Sequence, residues 1–63
     1  MRKRYTVENP PRVYEVAIAL GLPSNSTIDW LRYYDPEYVF RTPSHKVPLG
    51  HAIRFLHWMK TDA

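Results

Sequence analysis

The chain has no cysteine and only two glycines among its 63 residues. Without cysteine it forms neither a disulfide framework nor a thiolate metal site, and this composition fits a reducing compartment. No apolar run approaches the roughly 20 residues that a membrane span needs. The basic residues after Met1 do not lead into the apolar segment of a signal peptide. We therefore expect a cytoplasmic protein that does not bind a membrane.

Catalysis and metal binding are disfavoured by size and by residue pattern. A chain this short buries only about 60% of its unfolded surface, which leaves little stability for a deep cavity. Its three histidines, His45, His51 and His57, do not share one face, whereas zinc needs three or four converging ligands. The carboxylates are scattered, and neither a glycine-rich phosphate loop nor a preorganised Ser/His/Asp set occurs. We expect no enzyme, no cofactor and no metal.

The charge and aromatic content leave two interpretations open. Nine Lys and Arg against six Asp and Glu give a formal charge of +3 and a pI near 9.5. This mild excess suits a polyanionic partner, but it also suits a small domain that only needs to stay soluble. Aromatic residues make up 14% of the chain. With so small an interior, some of these rings must lie at the surface.

Two short amphipathic helices are predicted in residues 12–34. Gly21 ends the first helix, because a residue without Cβ adopts the left-handed conformation most easily, and Pro23 blocks continuation. Ser24 or Ser26 is expected to cap the second helix, with Asp29 in its first turn. The apolar stripe of the first helix is Val13, Val16, Ala17 and Leu20, and that of the second is Ile28, Leu31 and Tyr34. Two helices joined this way form a helix-turn-helix-like unit.

A short β-hairpin or wing is predicted after the second helix, which ends at Asp35-Pro36. Residues 38–42 favour a strand, residues 43–46 favour a turn, and Val47 begins a return strand. The wing would carry Arg41, His45 and Lys46 near its tip, where they could contact phosphates. A plain solvated loop would have the same sequence.

The last helix is expected to start at Pro48 and to have two distinct faces. We assign to the core Leu49, Ala52, Ile53, Leu56 and Met59. The opposite face presents His51, Arg54 and Trp58, with His57 at its margin. A basic and aromatic face can stack on bases and pair with phosphates, or it can bury Trp58 in a protein interface.

Two further features bear on partners. Residues 1–11 form a basic arm with Arg2, Lys3 and Arg4, which would follow a phosphate backbone or would simply be a frayed end. Ile18 points away from the apolar stripe of the first helix. It either lies under other chain segments or belongs to a partner surface.

The pattern of residues 12–60 resembles a known family. The chain reads RVYEVAIALGL over residues 12–22, then Ile-x-x-Leu, YVFRTPSHKV and PLGHAIRFL. It is similar to the N-terminal domain of bacterial translation initiation factor 2. The first half fits without a gap to Leu31, and the second half fits with a few inserted residues near Asp35-Pro36 and Leu49-Gly50.

The resemblance implies a compact three-helix domain with short strands, similar to the DNA-binding fold of MerR-type regulators and phage excisionases. In the initiation factor this domain is an accessory contact module ahead of the GTPase part. Ile18 and Ala19 stand where the family usually has charged residues, and this departure favours a partner surface. A separate copy of such a domain would suit a phage or a mobile element.

The sequence therefore predicts a mainly α, three-helix, helix-turn-helix-like domain with a β-hairpin or wing. Two functions remain open. The first is nucleic-acid binding, to RNA, the ribosome or DNA, through Arg2, Lys3, Arg4, Arg41, His45, Lys46, His51, Arg54 and Trp58. The second is binding of a protein partner, or dimerisation, through Ile18, Tyr33 and Trp58.

Overall fold

The fold is mainly helical. The computed structural model describes residues 4–37 and 40–62. Three helices follow in chain order, α1 (Val13–Leu20), α2 (Ser24–Tyr34) and α3 (Leu49–Thr61). A short turn joins α1 to α2, and the longer segment of residues 35–48 leads to α3. The prediction of a mainly α chain with three helices is confirmed.

The end of α1 is closed by Gly21, as predicted. Gly21 has a φ of 70° and a ψ of 29°, which is the left-handed conformation. Its N–H donates to the Ile18 carbonyl at 3.1 Å, and the Leu22 N–H donates to the Ala17 carbonyl at 3.0 Å. These two bonds form a Schellman motif, which satisfies carbonyls that would otherwise lack a partner at the helix end.

The predicted serine cap of α2 is wrong. Pro23 occupies the N-cap position with an extended backbone, and Ser24 is already the first helical residue. No side chain caps this helix start. Because Pro23 fixes its own φ close to the helical value, the chain enters the helix directly after it. The Pro23 carbonyl accepts bonds from both the Thr27 N–H, at 3.0 Å, and the Thr27 hydroxyl, at 3.1 Å.

The core lies where the three helices meet the segment before α3. The predicted stripes of α1 and α2 are confirmed, with Leu20 and Tyr34 only partly buried at the edge. Phe40 and Val47, from the segment before α3, add to this core. The buried cluster consists of Val13, Val16, Ile28, Leu31, Phe40, Val47, Ala52 and Phe55.

The predicted core face of α3 is partly wrong. Ala52 is buried, and Leu56 and Met59 pack at the edge of the core, but Ile53 is 59% exposed. Phe55 takes the central position and is fully buried. Its ring lies 5.6 Å from that of Tyr34. A phenyl ring that meets another ring gains more from burial than an isoleucine does, so the helix turns Phe55 inward and Ile53 outward.

The predicted β-hairpin or wing is not seen. Within residues 40–47 the chain forms bends and a turn, and the described residues include no named strand. The proposed strand residues Tyr38 and Val39 lie outside the described residues. The Val47 N–H donates to the Pro11 carbonyl at 2.8 Å, so this segment pairs with the chain that precedes α1. Pro43 and Pro48 lack the N–H that a ladder needs, which favours this alternative pairing.

None of the described helices has both the length and the apolar character that crossing a membrane requires.

Candidate binding surfaces

The segment of residues 41–47, which we call the basic loop, is fastened to the start of α1. The Val13 N–H donates to the His45 carbonyl at 3.0 Å, and the Tyr14 N–H donates to the Pro43 carbonyl at 3.0 Å. The first N–H groups of a helix lack partners within the helix and often bind anions. Here the basic loop satisfies two of them, so an anion would have to be held by side chains.

Arg12 and Lys46 are neighbours in space. Their backbones form an isolated antiparallel bridge, which places the two Cα atoms about 5 Å apart. An Nη of Arg12 donates to the Ser44 carbonyl at 2.8 Å, so the guanidinium is held over the basic loop. Lys46 is exposed. Two positive side chains thus stand side by side on a fixed backbone, and Arg12 was not among the predicted contacts.

Two further exposed arginines, Arg54 and Arg41, belong to α3 and to the basic loop. The guanidinium of Arg54 lies close to Gly50, with one Nη 3.7 Å from the position that a Cβ would take there. The Arg54 side chain therefore reaches back toward the N-terminal end of α3. That end follows directly on the basic loop. Arg41 is exposed at the start of the same loop. We call Arg12, Arg41, Lys46 and Arg54 the basic surface.

Glu15, in the first turn of α1, accepts hydrogen bonds from two residues of the N-terminal segment. One carboxylate oxygen of Glu15 accepts the Arg12 N–H at 2.9 Å, and the other accepts the Tyr5 hydroxyl at 2.9 Å. The second bond holds the N-terminal segment against the first turn of α1. Arg4, next to Tyr5, is exposed, whereas Arg2 and Lys3 lie outside the described residues.

His51 is not on the outer face of α3, and its prediction as an exposed contact is wrong. It is only 5% exposed, and its ring lies 5.6 Å from that of Tyr34 and 6.0 Å from that of Phe40. Its Nδ1 is 3.6 Å from an Oδ of Asp35. Burial lowers the pKa of His51, Asp35 opposes this effect, and Arg54 adds to it. The net lowering favours the neutral ring.

His45 lies at the edge of the core. The residue is exposed, but its ring is 5.2 Å from that of Phe40 and its carbonyl is bonded to α1. It therefore helps to hold the basic loop in place, in addition to lying beside Lys46.

A second surface is an aromatic pocket between α2 and α3. The ring of Trp58 lies 6.0 Å from that of Trp30 and 6.0 Å from that of Tyr33, while Trp30 and Tyr33 are 6.1 Å apart. The rings border an open pocket of about 430 Å³. Its lining residues are Asp29, Trp30, Tyr33, Trp58 and Asp62.

The structure brings Tyr33 and Trp58 together, but Ile18 does not line the pocket. Ile18 is 75% exposed on α1. Trp30, Asp29 and Asp62 were missed as site residues. Their spacing carried part of the signal, since Asp29 and Tyr33 lie one helical turn apart, as do Trp58 and Asp62. The core packing determines which faces of α2 and α3 meet. This contact cannot be predicted from the spacing of residues within each helix.

The basic loop and the aromatic pocket lie near opposite ends of α3, with Arg54 between them, one helical turn before Trp58. The basic loop precedes Leu49, whereas Trp58 and Asp62 belong to the last turns of the helix and its C-cap. A helix of 13 residues is about 20 Å long. Trp58 is therefore separated from Lys46, although the sequence placed both in one nucleic-acid site.

Within residues 4–37 and 40–62, no three His, Cys, Asp or Glu side chains come together as metal ligands would. Comparisons of the chain with protein-family models, curated proteins and solved structures found no match. The resemblance to the initiation-factor domain thus stays a prediction from its motif.

Proposed function

We propose that this protein is a non-catalytic binding module that contacts nucleic-acid phosphates through its basic surface. The main support for the proposal is the bridge between Arg12 and Lys46, which fixes the backbones of two cationic residues next to each other. Arg41, in the basic loop, and Arg54, whose guanidinium lies near Gly50, are further exposed cations that we include in the contact. Cationic side chains that extend from adjacent backbone positions can contact the phosphates of a strand, and each phosphate they neutralise releases counterions.

The proposed contact is to the backbone of the nucleic acid, without base reading by α2. In a helix-turn-helix protein the second helix presents several hydrogen-bonding side chains to the major groove. The outward side chains of α2 include Asp29, Trp30 and Tyr33, which line the aromatic pocket, and one exposed cation, Arg32. This composition suits a helix-turn-helix-like scaffold that binds RNA, the ribosome or DNA by shape and charge. The resemblance to the initiation-factor domain supports the proposal as an analogy of fold.

Fluorescence anisotropy tests the proposal and identifies the ligand class. Labelled duplex DNA, single-stranded RNA and a structured RNA would each be titrated with the protein at about 50 and about 200 mM salt. We expect one of the three to bind in the micromolar range or better, with affinity that falls steeply as salt rises. Three weak and equal affinities would contradict the proposal, since the charge would then serve solubility alone.

Recognition of a protein is the second candidate function, and the aromatic pocket is the observation that favours it. Tyr33 is 73% exposed and Trp30 is 38% exposed, beside the partly buried Trp58. Aromatic residues are enriched where proteins bind each other. Binding through this surface would depend on salt far less than binding to phosphates.

A further inference from the structure

We propose that the aromatic pocket binds an arginine side chain presented by a partner protein. The centroids of Trp30, Tyr33 and Trp58 form a triangle with sides of 6.0, 6.0 and 6.1 Å. The three rings pack edge to face or tilted on one another and form the aromatic wall of the pocket. A cation in the pocket can lie over an exposed ring face, within the cation–π range of about 6 Å from its centroid. The pocket volume of about 430 Å³ accommodates the end of one long side chain.

The charges around the pocket select a cation. Asp29 and Asp62 are exposed carboxylates on its lining, one from each helix. Within the part of the chain that the structure describes, neither carboxylate has an ion-pair partner, although Asp62 accepts a 3.3 Å bond from the neighbouring Thr61 hydroxyl. Asp62 also caps the C-terminal end of α3, where the helix dipole is negative. A phosphate would be repelled by this arrangement.

Arginine fits better than lysine. A guanidinium is planar, so it can stack on the face of an indole or phenol ring and still aim its N–H groups sideways. Carboxylates at the rim can then accept two parallel hydrogen bonds. Lysine offers a compact ammonium that keeps its hydration more strongly. The rings of this pocket and its two rim carboxylates supply both kinds of contact.

This site is independent of the proposed nucleic-acid contact. It uses none of the four residues of the basic surface and lies at the other end of α3 from the basic loop, although Arg54 is one helical turn from Trp58. A module with both surfaces could hold a nucleic acid and a basic protein segment at once. Either surface could bind its ligand if the other did not.

Tryptophan fluorescence gives a direct readout, because the chain has two tryptophans and both line the pocket. The protein would be titrated with a blocked pentapeptide in which glycine and serine flank one arginine. The control peptide carries citrulline, which has nearly the same shape as arginine but no charge. We expect the arginine peptide to shift the emission and to bind roughly fivefold or more tightly than the citrulline peptide.

Two variants and one matched control place the binding in the pocket. Asp29→Asn and Asp62→Asn each remove one rim charge with little change in shape. Each should lower the affinity for the arginine peptide roughly threefold or more. Glu8→Gln removes one exposed negative charge elsewhere and should leave the affinity unchanged. Circular dichroism would check that all three variants keep the helical fold.

Three results would overturn the proposal. Equal binding of the arginine and citrulline peptides would show that charge plays no part. An equal loss of affinity for the arginine peptide in Glu8→Gln and Asp62→Asn would show that only the net charge of the protein matters. A single-stranded oligonucleotide that changes the tryptophan emission, and does so more strongly in Asp29→Asn, would assign the pocket to a nucleic acid.

Discussion

The backbone of Arg12 is paired with the backbone of Lys46 in an antiparallel bridge. The same basic loop supplies the carbonyls of Pro43 and His45 to the first turn of α1. Lys46 is therefore carried by a segment that the fold itself requires. The proposed phosphate contacts would therefore extend from a backbone of fixed geometry even without a β-hairpin.

Gly21 and Gly50 are expected to respond oppositely to alanine. A Cβ at Gly21 meets no atom within 4 Å, but the φ of 70° strains any residue with a side chain, so Gly21→Ala should destabilise the protein by about 1 kcal/mol. Gly50 is the second residue of α3, where its Cβ would make only an ordinary contact, so Gly50→Ala should stabilise by up to about 0.5 kcal/mol. Urea unfolding of both variants measures this difference. If both variants changed the free energy of unfolding in the same direction, the assigned conformations of Gly21 and Gly50 would be contradicted.

The orientation of α3 predicts an unequal cost at two neighbouring positions. Phe55 is fully buried and Ile53 is 59% exposed. Phe55→Ala removes a ring from the core and should cost about 3 kcal/mol or more, which approaches the total stability of so small a domain. Phe55→Leu is the milder change that should keep the protein folded and still lower the melting temperature. Ile53→Ala should stay within about 0.5 kcal/mol of the parent. A larger loss of stability in Ile53→Ala than in Phe55→Leu would mean that α3 turns Ile53, and not Phe55, toward the core.

His51 should make stability depend on pH. Burial lowers its pKa below the ordinary value of 6.5, so between that lowered pKa and 6.5 the unfolded chain binds more protons than the folded chain. The stabilisation by neutral His51 is complete above 6.5 and is lost as the pH falls through this window. Urea unfolding at several values from about pH 7.5 to about pH 5 measures it.

Substitution of His51 gives the control for this effect. His51→Gln should remove this part of the pH dependence, whereas His57→Gln replaces an exposed histidine on the same helix and should retain it. If the folded protein were stabilised as the pH fell from 7.5 to 5, the neutral buried ring would be the wrong assignment.

Local features were predictable from the sequence. The stripe that contains Val13 and Val16 follows from helical spacing, and the end of α1 follows from the conformational freedom of Gly21. Each depends on residues within a few positions of one another. The mainly α class could be predicted for the same reason.

Features that depend on distant contacts were not predictable. In α3, Ile53 and Phe55 lie on different sides of the helix, and which side faces the core depends on tertiary packing such as the contact between Phe55 and Tyr34. The segment at Val47 has strand-forming residues, but the partner it selects is Pro11. The aromatic pocket likewise requires α2 to set Tyr33 beside Trp58.

If the basic surface binds phosphates, the affinity for nucleic acid should depend on salt through the residues of that surface. The affinity for the nucleic acid that binds best would be measured across a salt series for the parent, Lys46→Gln and Lys60→Gln. Lys60 is an exposed cation in the last turn of α3 and is the matched control. If Lys46 neutralises a phosphate, its removal should reduce the slope of log K against log salt by about 0.7 to 0.9, while Lys60→Gln keeps the parent slope. Equal slopes in all three proteins would contradict the claim.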